Sequence, residues 1–172
     1  LDVGASTGGF TDCLLQHGAD AVTAVDVGKN LLDERLRRDE RVKVVDGLNA
    51  RRLDQVLLDA IFDLAVIDVS FISLELILAQ VAALMKAEGR ILAMVKPQFE
   101  VGREKVGKKG VVKDPTLIKE AADKISALGP KLNPPFFESG RALSRLKGPE
   151  GNQEVFILFQ PCLMKPLESA PN

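Results

Sequence analysis

The sequence predicts an α/β fold in which a mostly parallel, seven-stranded sheet carries helices on both faces. Short apolar runs rich in β-branched residues alternate with helix-length segments, the pattern of a parallel sheet covered by helices. The last two apolar runs follow one another without an intervening helix, so one of these strands should run antiparallel to its neighbours. The chain has 172 residues, of which 46% are hydrophobic and 27% charged, which suits one globular domain with a substantial core.

The elements are predicted in order from apolar runs and helix boundary signals. Residues 1–3 are too short for a complete central strand, so the first strand should be truncated and material preceding Leu1 should be missing. Ser73 is a candidate cap for the third helix, and Asp114 before Pro115 is a strong start signal for the fourth. Strands are expected at 1–3, 21–25, 42–45, 64–67, 91–95, 135–139 and 154–159, and helices at 9–16, 30–37, 74–86 and 115–128. Residues 1–161 should form the domain, and 162–172 a flexible tail.

Composition excludes several classes of protein. A net charge of −1 gives no global attraction to nucleic acid, so any such binding must depend on a local cluster. Cys13 and Cys162 have neither metal-ligand spacing nor a disulfide framework, so no metal site is expected and a reducing compartment is favoured. No apolar run reaches the roughly 18–20 residues of a membrane helix, and no signal peptide opens the chain. These observations predict a cytoplasmic protein.

The most informative segment is the glycine-rich run from Gly4 to Gly9, which lies between the first strand and the first helix. Phe10 stands where a phosphate-binding P-loop needs lysine, which argues against a nucleotide triphosphatase. The segment also fits a hydrolase nucleophile elbow, but the only histidine, His17, comes too early for a catalytic triad. The spacing of a dinucleotide fingerprint is not kept. A turn suited to S-adenosylmethionine remains, beside the simpler alternative that the glycines only shape a tight turn.

Polar residues at the strand ends should surround one crevice, because ligands of such sheets bind outside the carboxyl ends of the strands. Asp26 would accept hydrogen bonds from a ribose diol, and the turn that begins at Asp46 would border the adenine, with Asp46 or Asn49 at its amino edge. Asp68 ends the fourth strand, and Lys96 ends the fifth. The predicted cofactor-binding residues are Gly4, Ala5, Ser6, Gly8, Gly9, Phe10, Asp26, Val27, Asp46, Gly47, Leu48 and Asp68.

Lys96 follows an apolar run that must be buried, so its side chain should lie in this crevice. Desolvation or a second cation would lower its pKa and let it accept a proton, whereas the Asp68 carboxylate would hold it charged. The sequence leaves both possibilities open.

The connection from Pro97 to Lys113 carries five basic residues, two glutamates and three glycines. A solvated charged loop and a mobile clamp for an RNA backbone are both consistent with that composition.

Five segments together resemble the methyltransferase domain of the TlyA haemolysin family, itself similar to FtsJ-like ribosomal RNA 2′-O-methyltransferases. The first runs from Asp2 to Leu14 and opens with Asp2-Val3-Gly4-Ala5-Ser6-Thr7-Gly8-Gly9-Phe10, and the third runs from Asp68 to Leu74 and opens with Asp68-Val69-Ser70-Phe71-Ile72. The other three are Ala24-Val25-Asp26-Val27-Gly28, Val95-Lys96-Pro97-Gln98-Phe99-Glu100 and Gly148-Pro149-Glu150-Gly151-Asn152-Gln153-Glu154. The resemblance runs through nearly the whole chain. It implies a Rossmann-like methyltransferase fold, S-adenosylmethionine as cofactor, and ribosomal RNA or ribosomal subunits as partner.

The resemblance also implies a catalytic set. Three members of the family's lysine-aspartate-lysine-glutamate tetrad map onto Asp68, Lys96 and Glu154, with Lys96 as general base for a ribose hydroxyl. The first lysine of the tetrad and the family's S4-type RNA-binding domain would lie upstream of Leu1, in the region expected to be missing. Two alternatives stay open: a membrane-active haemolysin without a spanning segment, and a binding module that keeps the fold but has lost catalysis.

Overall fold

The computed structural model describes residues 1–107 and 109–161. They form one seven-stranded sheet with strand order β3-β2-β1-β4-β5-β7-β6. The strands are β1 (Asp2–Val3), β2 (Val22–Asp26), β3 (Val42–Asp46), β4 (Phe62–Ile67), β5 (Met85–Val95), β6 (Phe136–Lys147) and β7 (Gln153–Pro161). The first five strands pair in parallel, and β7 pairs antiparallel with both β5 and β6. The predicted fold class and the antiparallel ending are therefore confirmed.

Helices cover both faces of this sheet. They are α1 (Gly9–Gln16), α2 (Glu34–Arg37), α3 (Gln55–Leu58), α4 (Leu78–Ala82), α5 (Pro97–Glu100) and α6 (Pro115–Ser126), with short 3-10 helices at Ala50–Arg52, Leu74–Leu76, Arg103–Lys105 and Gly129–Lys131. Successive residues of a strand point to opposite faces. Accordingly, Val25 belongs to the larger core cluster, whereas Ala24 packs with Leu15, Leu32 and Leu36 on the other face.

Two predicted helix boundaries were wrong. The helix expected at 30–37 begins only after Asp33, whose carboxylate caps it by accepting from Arg35 N; Asn30, with φ +56°, has a left-handed backbone. The helix expected at 74–86 is broken. Ser73 caps the short 3-10 helix Leu74–Leu76 as predicted, but the chain enters β5 at Met85 because that residue pairs with Phe62 in β4.

The carboxyl-terminal region also differs from expectation. Strand β6 extends far beyond residues 135–139, because pairing with β7 along its length satisfies a backbone whose side chains are mostly exposed. The connection after β5 begins with the single turn α5, and Asp114 caps α6 with Pro115 in the first turn, as predicted. The predicted flexible tail at 162–172, which includes Cys162, lies outside the described residues.

Candidate functional site

A cavity of about 580 Å³ opens at the carboxyl ends of β1, β2 and β4. Its wall is largely apolar but also carries two carboxylates, one guanidinium, one amide and two serines. The lining residues are Val3, Gly4, Ser6, Val25, Asp26, Val27, Leu31, Leu48, Asn49, Ala50, Arg51, Asp68, Val69, Ser70, Phe71 and Ile72. A concave site with apolar walls and few convergent polar groups is the usual form of a small-molecule pocket.

The glycine-rich turn forms one side of this cavity. The backbone of Gly4 has φ +87°, and both Gly4 N and Ala5 N donate to the carbonyl oxygen of Val25. Asp26 fixes the other side, because one carboxylate oxygen accepts from Ser6 N (2.8 Å) and the other from Gly28 N (2.7 Å). Each oxygen retains a further lone pair for a ligand hydroxyl.

Six of the predicted cofactor-binding residues line this cavity: Gly4, Ser6, Asp26, Val27, Leu48 and Asp68. The others lie elsewhere. Ala5 is buried in the second core cluster, Gly8 faces Leu32 and Leu36, and Gly9 opens α1 away from the cavity wall.

Asp46 and Gly47 are not among the residues that line this cavity. The Asp46 carboxylate accepts from Asn30 N (3.1 Å) and forms an ion pair with Arg37 (3.0 Å). The backbone N–H of Asn30, with help from Arg37, keeps the pKa of Asp46 below its usual range. Gly47 N bonds to the carbonyl of Gly28, and its α-carbon lies against the Lys29 side chain. Asp46 therefore tethers the segment after β2, and neighbouring Leu48 and Asn49 reach the cavity.

Lys96 extends from the end of β5 toward the end of β4. Its Nζ lies 2.7 Å from Asp68 Oδ1, an ion pair without the alignment of a hydrogen bond, and donates to Ser70 Oγ at 2.9 Å. The Lys96 side chain is 13% exposed and that of Asp68 is 30% exposed, so this ion pair is only partly shielded from solvent. Strands β4 and β5 are parallel neighbours, which is why their carboxyl-terminal residues meet.

Glu154, near the start of β7, completes this group from the antiparallel strand. Burial raises the pKa of its carboxyl, while Lys96 lowers it and Asp68 raises it further. Within residues 1–107 and 109–161, no hydrogen bond or ion pair joins the Glu154 carboxyl to another residue. The α-carbon of Gly148, in the turn before β7, lies so close that a Cβ there would be 2.9 Å from Glu154 Oε1.

A second cavity of about 720 Å³ adjoins the first, and Asp68 and Ser70 belong to the walls of both. Lys96 and Glu154 line it together with Arg145 and Lys147, which lie near the end of β6. The rings of Phe10 and Phe156, also in this wall, meet edge to face with centroids 6.3 Å apart. Phe10 thus borders the second cavity and is not part of the wall of the first.

A family model of FtsJ-like methyltransferases matches residues 1–160. The chain belongs to the FtsJ-like methyltransferase family.

Named relatives of this FtsJ-like domain cover most of its length. The chain is 43% identical over 157 residues to the 16S/23S rRNA (cytidine-2′-O)-methyltransferase TlyA of Mycobacterium tuberculosis. This alignment covers 91% of the present chain and 58% of the M. tuberculosis protein. It is 39% identical over 160 residues to Hemolysin A of Brachyspira hyodysenteriae, over 92% of this chain and 66% of that protein. A solved structure of a Streptococcus thermophilus protein that is named as a hemolysin is 40% identical to this chain. The two superpose with a TM-score of 0.88 over 93% of this chain and 57% of that one. The chain thus spans a little over half to two thirds of these proteins' length.

Several residues of this FtsJ-like site escaped the sequence analysis. Ser70 binds Lys96, and the signal for it was its position two residues after Asp68. Phe71 lines the first cavity with a left-handed backbone (φ +65°) and packs against Phe99 with ring centroids 5.3 Å apart. Glu100 is buried and accepts from both Ser73 Oγ and Leu74 N. Nothing in the local sequence indicates the contacts of Phe71 and Glu100, which join separate loops.

Among the helices of the described ranges, none is both long enough and apolar enough to span a membrane.

Proposed function

We propose that this chain is the catalytic domain of an S-adenosylmethionine-dependent methyltransferase that acts on a ribose 2′-hydroxyl of ribosomal RNA. One observation carries the proposal: two cavities share a wall at Asp68 and Ser70, and Lys96 and Glu154 face the second. A donor bound in one cavity and an acceptor bound in the other would meet at these residues. Membership of the FtsJ-like family and the activity in the name of the TlyA relative support the same reaction class.

The first cavity fits S-adenosylmethionine. Its volume of about 580 Å³ lies within the range of cofactor pockets. Asp26 offers carboxylate oxygens to a ribose diol, and Val27, Leu31 and Leu48 supply apolar surface for a purine. No cation is needed at the turn, because the methionine part of this cofactor carries no phosphate, which agrees with Phe10 in place of a P-loop lysine.

The second cavity suits a nucleotide of RNA. Arg145 and Lys147 provide cations for phosphate, and Phe10 and Phe156 provide aromatic surface. The M. tuberculosis relative is named as a methyltransferase of 16S and 23S rRNA, so we propose the same substrate class here.

The chemistry requires removal of a proton, since a ribose hydroxyl is a weak nucleophile. When bound, S-adenosylmethionine supplies a methyl group on a positively charged sulfur. Once its ammonium group had released a proton to solvent, Lys96 would accept the hydroxyl proton at Nζ. The hydroxyl oxygen would then form the new bond to the methyl carbon while the bond from that carbon to sulfur breaks, and the cofactor would leave as a neutral thioether. Ser70 and Asp68 hold Nζ in place, and the Asp68 carboxylate balances the resulting ammonium charge. General-base catalysis of this kind contributes about 10²–10⁴-fold in rate.

Replacing Lys96 tests the proposal. In the full-length protein, Lys96→Ala should reduce methyl transfer to ribosomal RNA by at least about 100-fold, whereas S-adenosylmethionine binding measured by calorimetry should change little, because Lys96 lies outside the first cavity. Lys131→Ala is the matched control: it also removes a lysine, in this case an exposed one in the 3-10 helix before β6.

Undiminished transfer by Lys96→Ala would contradict the base assignment. Cofactor binding without methyl transfer by the unmodified protein, on both naked ribosomal RNA and ribosomal subunits, would instead favour a binding module.

A further inference from the structure

A third depression, a groove of about 830 Å³, lies between the 103–113 loop, the first turns of α6 and the turn that joins β6 to β7. Among the described residues, its charged side chains are mostly basic: four lysines (Lys105, Lys109, Lys113 and Lys147) against two acids (Asp114 and Glu150). The protein as a whole has a net charge of −1, so this groove is a local concentration of positive charge.

Three of the four lysines are available to a ligand. Lys105 is paired with Glu120 at 3.2 Å, and the Asp114 carboxylate already caps α6 by accepting from Thr116 N. Lys109, Lys113 and Lys147 are exposed, and none of them forms an ion pair with a carboxylate within the part of the chain that the structure describes. Unpaired ammonium groups gathered on one surface attract an anion with several charges.

The groove has a fixed frame, because a buried asparagine joins its two sides. Asn152, which is 1% exposed, accepts from Val112 N through Oδ1 (2.9 Å) and donates to the carbonyl of Gly110 through Nδ2 (2.9 Å). Its own carbonyl accepts from Gly148 N. One side chain therefore holds the lysine-bearing loop against the β6–β7 turn. The basic loop is therefore tethered to the β6–β7 turn by hydrogen bonds, in addition to being partly solvated.

The groove is continuous with the proposed reaction site. Lys147 belongs to the walls of both the groove and the second cavity. The turn that contains Gly148 passes directly beside Glu154. Because Lys147 lines both depressions, an RNA chain with one nucleotide in the second cavity could place a neighbouring phosphate beside Lys147, at the edge of the groove.

We propose that this groove binds the phosphodiester backbone of the RNA strand next to the target nucleotide. The inference rests on the proposed function, which supplies the nucleotide in the second cavity. Lysines bind phosphates as point charges and read no base sequence, so the groove would position the strand without selecting its sequence. Asn152 is a positioning residue in this arrangement, since it keeps Lys109 and Lys113 opposite Lys147 without contacting the RNA.

The test measures RNA binding separately from catalysis. Four proteins are titrated with purified 16S and 23S ribosomal RNA at several salt concentrations. They are the full-length protein, its Lys109→Ala/Lys113→Ala double variant, its Lys147→Ala variant and, as control, Lys131→Ala. We expect roughly tenfold weaker RNA binding by the double variant at low salt. The slope of log affinity against log salt concentration should be shallower by about 0.7 for each phosphate that a variant no longer neutralises. Lys131→Ala should match the unmodified protein. Unchanged thermal unfolding and S-adenosylmethionine binding would show that the variants are folded.

The two proposals fail in different ways. If the unmodified protein methylates RNA but the lysine variants bind RNA with unchanged affinity and salt dependence, the groove proposal is overturned and the reaction stands. If the lysine variants lose affinity as expected but the unmodified protein transfers no methyl group, the groove is supported and the proposed reaction is wrong.

Discussion

Gly4 lies directly against the backbone carbonyl of Asp68, so closely that a methyl group on Gly4 would overlap the Asp68 carbonyl oxygen. This contact joins the turn after β1 to the end of β4, and Asp68 N in turn donates to the carbonyl of Val3. The first glycine of the turn therefore does more than clear room for a ligand. It sets how near the proposed cofactor cavity lies to the Asp68–Lys96 pair.

Two glycines of the same turn should respond in opposite ways to alanine. Gly4→Ala adds a Cβ that collides with the Asp68 carbonyl at a backbone angle of φ +87°, so we expect a loss of about 1–3 kcal/mol in unfolding free energy and at least tenfold weaker S-adenosylmethionine binding. Gly9→Ala is the matched control, because a Cβ on Gly9 would meet nothing within 4 Å and alanine favours the helix that begins there. Thermal unfolding and calorimetry measure both. Loss of cofactor binding in Gly9→Ala would contradict its placement outside the cavity wall.

Ser70 should act through Lys96. Ser70→Ala removes the hydroxyl that accepts from Lys96 Nζ at 2.9 Å, so the amine keeps Asp68 as its partner but loses one of its two positional restraints. We expect roughly a tenfold lower kcat, in line with the loss of one hydrogen bond of about 1–1.5 kcal/mol. The pH dependence of kcat should shift as well, which a purely structural role would not produce. Ser70→Thr retains a hydroxyl and should recover most of the rate; equal loss in both variants would argue against the hydrogen bond as the cause.

Ionised Glu154 should lower the free energy of unfolding near neutral pH, although the residue belongs to the proposed catalytic group. Burial raises the pKa of its carboxyl, so between the unfolded and folded pKa values the folded protein binds more protons than the unfolded chain. Stability from this group is therefore full below the unfolded pKa and is lost as the pH rises through the folded pKa. Glu154→Gln removes the charge, so we expect a higher Tm than the unmodified protein at pH 7–8 and no difference near pH 4, where both side chains are neutral.

Thermal scans across this pH range, together with methyl-transfer rates at pH 7, check the Glu154 prediction. A lower Tm for Glu154→Gln at pH 7–8 would show that the carboxylate is held by a partner that outweighs its burial.

Glu100 should hold the two loops of the site together. It is buried after β5, and its carboxylate accepts from Ser73 Oγ (2.6 Å) and Leu74 N (2.8 Å) in the segment after β4. Glu100→Ala leaves the buried Leu74 N–H unpaired, so we expect a loss of about 1–3 kcal/mol in unfolding free energy. Ser73→Ala removes the other of these bonds together with the cap on Glu75 N, but it leaves the Leu74 N–H paired and should cost less. Denaturant unfolding of both variants gives the comparison, and a loss in Glu100→Ala no larger than that in Ser73→Ala would contradict the expected cost of an unpaired Leu74 N–H.

The elements that sequence predicted well are those with local signals. Asp114 before Pro115 marked the start of α6, and the apolar runs marked the core strands. Sequence failed where a distant partner decides the outcome. Residues 83–86 continue a helical pattern but turn into β5 because Met85 pairs with Phe62, and β6 is long because β7 binds it.

The sequence by itself determined the fold class, the family and the residue types at the strand ends, because hydrophobic periodicity, caps and glycine turns depend on neighbours in the chain. Only the tertiary structure decided which of those residues meet. Strand order places Lys96 beside Asp68 and Ser70 and brings Glu154 in from β7, whereas Asp46, equally a strand-end acid, is held by Asn30 N and Arg37 and does not line the cavity. Such meetings depend on contacts between residues far apart in the chain, and strand order and register specify them only once the sheet is assembled.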